Sequence, residues 1–399
     1  MSGRPRRPGQ LGPYVDGYRS RLLSLGYTRT TVQNQLAILG QLGRWMSDQG
    51  LDVSELSGAR VADFVAARSA GRPAGVSGGG GFRSLLDYLA DEHFIAAEAA
   101  PPRTALDVLV DAYREWLVRD RGLAPATVRR YANSAHRFLI ERQGADGGDV
   151  AGLSGSDVSA FLLAECARCS VGTAKGLVAE LRSLLRYLYV HGLTPLSLAP
   201  AVPPVAGWRD TGLPASLSSQ DVQAVLDSCD RSTAIGARDF AMVILAARLG
   251  LRSAEVAHLR LDDVHWRSGE ILVRGKGRRK DRLPMPVEVG GALTEYLLRA
   301  RPRAELRQVF LTCHAPLRGI GPDGVSDAVR RACRRAGLLP VGAHRLRHAL
   351  ATELLNKGAA LVDIGQVLRH QDLATTAIYA KVDLTALRTV ARVWPGTAR

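Results

Sequence analysis

The first half of this 399-residue chain repeats itself, and that restricts its fold more than any other feature of the sequence. Tyr14-Val15-Asp16-Gly17-Tyr18-Arg19 returns as Leu109-Val110-Asp111-Ala112-Tyr113-Arg114, an offset of 95. Thr31-Val32 returns as Thr127-Val128 at an offset of 96, and Leu56-Ser57-Gly58 as Leu153-Ser154-Gly155 at 97. Leu85-Leu86-Asp87-Tyr88-Leu89 returns as Leu184-Leu185-Arg186-Tyr187-Leu188 at 99. Order is kept and the offset drifts little, so the stretches read as two copies of one module. Each copy reads as four or five short helices. In the second, Ala105 to Arg119 is helical by periodicity, and Ala124-Pro125-Ala126-Thr127 opens a helix running to about Arg142. Ser154-Gly155-Ser156-Asp157 opens another, and Thr173 to His191 carries Leu177, Leu181, Leu184, Leu185 and Leu188 at helical spacing. In the first copy, the loop Arg72-Pro73-Ala74-Gly75-Val76-Ser77, followed by glycines, is expected to be flexible.

The rest of the chain divides around this repeat. Residues 1–10 read as a basic disordered arm, 11–95 as the first helical module and 104–191 as the second. Residues 192–216 are proline-rich and aperiodic, a linker, and a new domain spans 217–393. Ser218-Ser219-Gln220-Asp221 opens its first helix. Residues 238–260 predict a helix, a sharp turn at Gly250 and a second helix. The period then changes: Glu270 to Arg274 predicts a strand, Gly275-Lys276-Gly277 a turn, and Asp281 to Val287 a returning strand. Helices fill the remainder. The expected fold class is mainly α with a small antiparallel β-sheet, α+β.

Charge narrows the partner. The net charge is +15 with a pI near 10.1, which points to an anionic polymer, nucleic acid first. Residues 201–399 hold 30 Lys+Arg against 19 Asp+Glu, so they supply +11 of it. Five cysteines without a regular framework predict a reducing, cytoplasmic setting. Cys166 and Cys169 form a lone C-x-x-C with neither a second pair nor nearby histidines, so no metal or redox role is expected. The basic N-terminus lacks the apolar core of a signal peptide, and no run of about 18 apolar residues predicts a membrane span.

Six residues of the C-terminal half carry the chemistry: Arg252, Lys276, His344, Arg347, His370 and Tyr379. One is a nucleophile candidate, and the others carry positive charge or donate protons. Such a set suits metal-free attack by a tyrosine oxygen on a phosphodiester, with guanidinium groups holding the transition-state charge. Each has a plainer reading. Arg252 at a helix start would pair with Glu255. Lys276, beside Arg278, Arg279 and Lys280, would grip a DNA backbone without specificity. Tyr379 would anchor a C-terminal helix. His344 and Arg347, spaced i, i+3, share a helical face ahead of the apolar stretch Leu350 to Leu355. His348 could add a donor, but packing or surface exposure is its expected role.

Taken together, the motifs resemble the tyrosine recombinase, or phage integrase, family. Leu249-Gly250-Leu251-Arg252-Ser253-Ala254-Glu255-Val256 is similar to the family's first arginine box. Gly275-Lys276-Gly277-Arg278-Arg279-Lys280-Asp281-Arg282-Leu283-Pro284 is similar to its hairpin with the catalytic lysine. His344-Arg345-Leu346-Arg347-His348 resembles the H-x-x-R box, and Leu368-Arg369-His370 with Tyr379 nine residues later resembles the final His-and-Tyr box. Arg369 stands where the family often has glycine. The resemblance spans about residues 218–392, and residues 104–191 resemble the family's SAM-like core-binding domain.

The resemblance implies that Arg252 and Arg347 neutralise a phosphorane and that His344 and His370 bond its oxygens. Lys276 would protonate the departing 5′ oxygen, and Tyr379 would form a 3′-phosphotyrosine link, its phenolate favoured by the nearby Arg and His. No cofactor, ATP or metal is implied. The implied partner is double-stranded DNA, clamped between the second helical module and the catalytic domain by a homo-tetramer on paired sites. A partner recombinase or accessory protein is left open. The apolar stripe after Tyr379 would dock on a neighbouring subunit or pack in cis. Two other readings stand beside this one: a type IB topoisomerase, and a catalytically silent DNA-binding accessory protein.

Overall fold

The computed structural model describes residues 9–69, 79–96, 103–143, 150–206, 217–275 and 279–370, with Thr376 and Tyr379. The loop from Arg72 to Ser77, Lys276 and the stripe after Tyr379 lie outside the described residues, as does most of the basic arm. Of that arm, Gly9 and Gln10 begin a 3-10 helix reaching Tyr14.

The two copies of the repeat have the same element order. The first runs α1 (Val15–Ser24), α2 (Arg29–Asp48), a 3-10 turn (Val53–Glu55), α3 (Gly58–Ser69) and α4 (Gly79–Asp91). The second runs α5 (Ala105–Arg119), α6 (Pro125–Gln143), a 3-10 turn (Val150–Gly152), α7 (Gly155–Cys166) and α8 (Val171–Val190). The repeated letters are core letters. Tyr18 and Tyr113, Val32 and Val128, Leu56 and Leu153, Leu85 and Leu184, Tyr88 and Tyr187, and Leu89 and Leu188 are buried in both. Inward-facing positions tolerate change least, because a lost methylene leaves a cavity. Helix starts follow side-chain caps. Thr104 with Asp107 and Ser154 with Asp157 form reciprocal capping boxes that open α5 and α7, each satisfying two otherwise orphaned N–H groups.

The chain divides into two compact units, residues 96–209 and residues 1–95 with 210–399. Within the second unit, residues 11–95 enclose their own hydrophobic cluster, and the larger cluster runs from Val222 to Ala349. The Leu317 N–H donates to the Leu25 carbonyl at 2.9 Å, a backbone link between those two parts.

The larger cluster is built on α9 (Ser219–Asp227), α10 (Ala234–Arg248) and α11 (Ser253–Ala257). Ser218 and Asp221 box the start of α9, as the sequence indicated. The sheet follows: β1 (Val264–His265), β2 (Glu270–Arg274) and β3 (Lys280–Pro284), antiparallel in the order β1-β2-β3, with Ile271 opposite Leu283. Alternation buries Ile271 and Val273. The returning strand stops at Pro284, three residues short of expectation, because Pro284 and Pro286 have no N–H to give a ladder. Pro286 instead sits at the N-cap of α12 (Val287–Glu295). One π-helical turn (Tyr296–Ala300) extends α12, and α13 (Pro322–Arg335), α14 (His344–Asn356) and α15 (Leu361–Val367) complete the domain. The architecture is mainly helical with one small antiparallel sheet, the expected class.

Candidate active site

After α10 the chain reverses at Gly250, which has φ +58°. A Cβ there would lie 2.7 Å from Leu368 Cδ2 and 3.1 Å from Leu350 Cδ2, so glycine is needed both for the backbone and for the close approach. The turn delivers Arg252 to the N-cap of α11. Arg252 Nη1 is 2.8 Å from Glu255 Oε1, and the Arg252 N–H donates to Glu255 Oε2 at 2.9 Å. The pairing offered as the plainer reading of Arg252 is therefore present, but it is no surface bridge. The Glu255 side chain is 4% exposed, whereas that of Arg252 keeps 41% of its surface open. A second cation, Arg369, reaches Glu255 from across the domain, Nη2 to Oε2 at 2.8 Å. Burial pushes the Glu255 carboxyl up, but the Arg252 N–H and the two guanidinium charges outweigh it and hold the carboxyl below its usual value.

Helix α14 brings His344, Arg347 and His348 to the site. Arg347 is 1% exposed. Its Nη1 donates to the Gly250 carbonyl at 2.6 Å and its Nη2 to the Leu368 carbonyl. One guanidinium thus ties α14 to the Arg252 turn and to the end of α15. Burial, then the charges of Arg252 and Arg369, push Arg347 down to about 10, so it stays cationic at neutral pH. His344 is held below its ordinary value by burial and by the charges of Arg347, Arg252 and Arg345.

Beyond α15, Leu368 caps the helix and Arg369 turns the chain with φ +57°. A non-glycine residue in this region costs about 1–2 kcal/mol. The Arg369–Glu255 bond offsets that cost, which explains how arginine stands in the turn. His370 follows, its N–H on the Gly365 carbonyl at 2.9 Å and its Nδ1 2.7 Å from Thr376 Oγ1. Burial first, then Arg347, Arg252 and the two neighbouring histidines, push His370 down to about 4, so it is neutral at physiological pH. Tyr379 is 1% exposed and packs with Ala351, Leu355, Ile364 and Leu368. Its ring lies parallel to that of His370, centroids 6.5 Å apart. Its Oη is 2.8 Å from His348 Nδ1. The ring serves as the anchor of the plainer reading, while the hydroxyl joins the histidine cluster. One expectation is reversed: burial outweighs the charge of Arg347 and raises the phenol above its ordinary value, disfavouring the free phenolate.

Lys276 lies outside the described residues. The base of its hairpin is closed by the Gly275 N–H on the Arg279 carbonyl at 2.9 Å, and a methyl at Gly275 would lie 4.0 Å from Glu255 Oε1. The hairpin therefore ends beside the site's carboxylate. Of the other five expected residues, the structure draws all together: Arg252 and Arg347 both depress His344 and His370, and Arg347 lowers Tyr379 against burial. Four further residues belong to the site. His348 was expected in packing or on the surface, although its i, i+4 spacing from His344 already placed both on one face. Glu255 was legible as a salt-bridge partner of Arg252 and no more. Arg369 was legible only as a departure from the family's glycine, and Thr376 only as part of the Thr-Thr pair before Tyr379. Among the described residues, no group of three or more His, Cys, Asp or Glu is placed to hold a metal ion.

The family model for the phage integrase family matches residues 215–385. The Sinorhizobium fredii (strain NBRC 101917 / NGR234) protein y4rA, named for an integrase/recombinase, is 39% identical over 396 residues, covering 98% of this chain and 96% of that protein. Tyrosine recombinase XerD of Listeria monocytogenes serotype 4b (strain F2365) is 31% identical over 288 residues, 71% of this chain and 96% of that one. Among solved structures, the XerH site-specific recombinase in its post-cleavage complex with a palindromic difH substrate superposes with a TM-score of 0.54. It is 20% identical and covers 77% of this chain and 93% of that one, a likeness of fold. A relative matched along nearly its whole length at 39% identity places the chain in a family, and the chain belongs to the phage integrase family of site-specific tyrosine recombinases.

Proposed function

We propose that the protein cuts and rejoins duplex DNA at a specific site through a 3′-phosphotyrosine link to Tyr379. The observation that carries this reading is the placement of the Tyr379 hydroxyl beside a buried Arg347 and a cluster of imidazoles that share the field of Arg252. Oη attacks phosphorus, and the departing 5′ oxygen takes a proton from Lys276. Arg252 and Arg347 offset the extra charge of the pentavalent phosphorane, and each well-placed donor to such an oxyanion is worth about 10²–10³ in rate. Neutral His344 and His370 donate N–H groups to the same oxygens without trapping a proton. The P–O5′ bond is exchanged for P–Oη, so the bond energy is kept. The 5′-hydroxyl of another strand then attacks the phosphotyrosine and reseals the backbone. Neither ATP nor a divalent ion is required, because the guanidinium charges fill the electrostatic role.

The basic C-terminal half and the helical module 104–191 bind the duplex, and residues 11–95 extend the contact. Two paired sites present four strands, one tyrosine each, so the working unit is a homo-tetramer in the cytoplasm, with the tail after Tyr379 docking on a neighbour. Deleting residues 384–399 should then weaken synapsis, and normal tetramer formation by the truncated protein would refute that docking.

The test of the whole reading is a covalent trap. The protein and Tyr379→Phe are expressed in cells and denatured without crosslinker, and attached DNA is sequenced. Ends clustered at one inverted repeat, absent from the variant, are expected. Dispersed ends would indicate a topoisomerase and overturn the proposal; no DNA on either protein would indicate a silent binder or an enzyme lacking its partner or site.

A further inference from the structure

We infer that His348 is the base that takes the phenolic proton from Tyr379 as its oxygen attacks phosphorus; the inference rests on the reading of Tyr379 as nucleophile. His348 Nδ1 and Tyr379 Oη are 2.8 Å apart, within reach for direct transfer. Two neighbouring groups are turned elsewhere. His370 Nδ1 faces Thr376, and the Glu255 carboxylate is held by Arg252 and Arg369. The ring of His348 is fixed by edge contact with His344, centroids 4.3 Å apart, and with Tyr379, 5.5 Å apart. The residue before it, Arg347, is locked to two backbone carbonyls.

The chemistry requires such a group. Burial makes spontaneous ionisation of Tyr379 harder, so the proton must leave during attack. His348 is surrounded by His344, Arg345 and Arg347 on its own helix and by Tyr379 from the C-terminal segment. Burial, then His344, Arg345 and Arg347, push it down to about 4, so it is neutral and able to accept at physiological pH. As the phosphorane gains negative charge beside it, the imidazolium is stabilised in the transition state alone, where stabilisation counts. The transfer uses the tautomer with hydrogen on Nε2. Oη–H breaks and Nδ1–H forms; P–Oη forms and P–O5′ breaks, with the 5′ oxygen taking its proton from the acid. On resealing, the incoming 5′-hydroxyl returns its proton to that acid, and the imidazolium returns its own to Tyr379. A weak base suits this reversal, since it gives the proton back readily.

The experiment uses the full chain and a duplex carrying the site recovered by the covalent trap, with single-turnover adduct formation as readout. His348→Ala is expected to slow cleavage about 10²–10⁴-fold at neutral pH, the usual worth of a positioned base. The deficit should shrink as pH rises and should be partly repaired by added imidazole. Replacing the bridging 5′ oxygen with sulfur, which leaves without an acid, should not repair it. That same duplex should repair Lys276→Ala. His348→Gln, which keeps a hydrogen-bond acceptor but not a base, should be as slow as His348→Ala. Cleavage by His348→Ala at the parent rate would overturn the inference. So would a deficit indifferent to pH and imidazole, erased by sulfur, or largely restored in His348→Gln. If the parent itself forms no adduct, the nucleophile reading has failed and this inference falls with it. A parent adduct that Tyr379→Phe abolishes makes failure at His348 its own result.

Discussion

Arg252 and Tyr379 share one candidate site but border, among the described residues, hydrophobic clusters of different size. Arg252 follows α10, whose residues from Ala241 to Ala247 are all buried in the main cluster of the domain. Tyr379 belongs to a cluster of five buried residues, Ala351, Leu355, Ile364, Leu368 and Tyr379 itself. Polar links join this cluster to the rest of the site: Arg347 to Gly250 and Leu368, Arg369 to Glu255, His348 to Tyr379. Segments with little buried apolar surface open at low free energy. Among the described residues the Tyr379 cluster is the smaller of the two, so it is expected to open before α10.

The largest expected effect is on chemistry alone. Tyr379→Phe should abolish the covalent adduct while leaving the melting temperature within a few degrees of the parent, because the ring still fills its cluster. Unfolding of the small side in that variant would show that the hydroxyl, and not the ring, holds it. Arg347→Ala should come next. It leaves the Gly250 and Leu368 carbonyls buried without partners, at about 1–3 kcal/mol each, and on the proposed mechanism also removes a transition-state cation. Hydrogen exchange should then show α15 opening while α10 stays protected. Equal loss in both helices would break the contrast between the two sides.

Gly250→Ala should cost about 1–3 kcal/mol from crowding against Leu368 and Leu350, with backbone strain in addition, and again α15 should loosen first. Arg369→Gly sharpens the point, because two effects oppose. Relief of the positive φ gains about 1 kcal/mol, while loss of a charge-assisted bond to Glu255 costs about 1.5–3. Chemical denaturation should show a net loss of roughly 1 kcal/mol, and cleavage should slow as His370 loses its footing. A stabilised Arg369→Gly would mean that the link to Glu255 contributes little.

A further effect is in pH. His348 and His370 bind protons less well in the folded protein than in the unfolded chain, both near 4 against an ordinary 6.5. Their contribution to stability is complete above pH 6.5 and is lost as pH falls from there toward 4, where the unfolded chain binds more protons. The melting temperature should fall over that window, and less steeply in His348→Gln and His370→Gln. An unchanged slope in both variants would place the titration elsewhere.

Much of this protein is written in short-range patterns. The offset repeat specified two helical modules of one design, and paired caps such as Ser154 with Asp157 marked where helices begin. Gly250 marked a turn, and the i, i+3 pair of His344 and Arg347 marked a face of α14. Such signals act between residues a few positions apart, so they survive without knowledge of the rest of the chain. The links that complete the site do not. Arg347 meets a carbonyl 97 residues away, and Arg369 meets a carboxylate 114 residues away. His348 becomes a partner of Tyr379 only when packing carries the chain 31 residues on and back to α14. Even the direction of the Tyr379 shift depended on burial, which outweighed the nearby charge. Local propensity sets the elements and the residue types offered to the site. Close packing of distant elements sets which atoms touch, and with that the protonation state of each group.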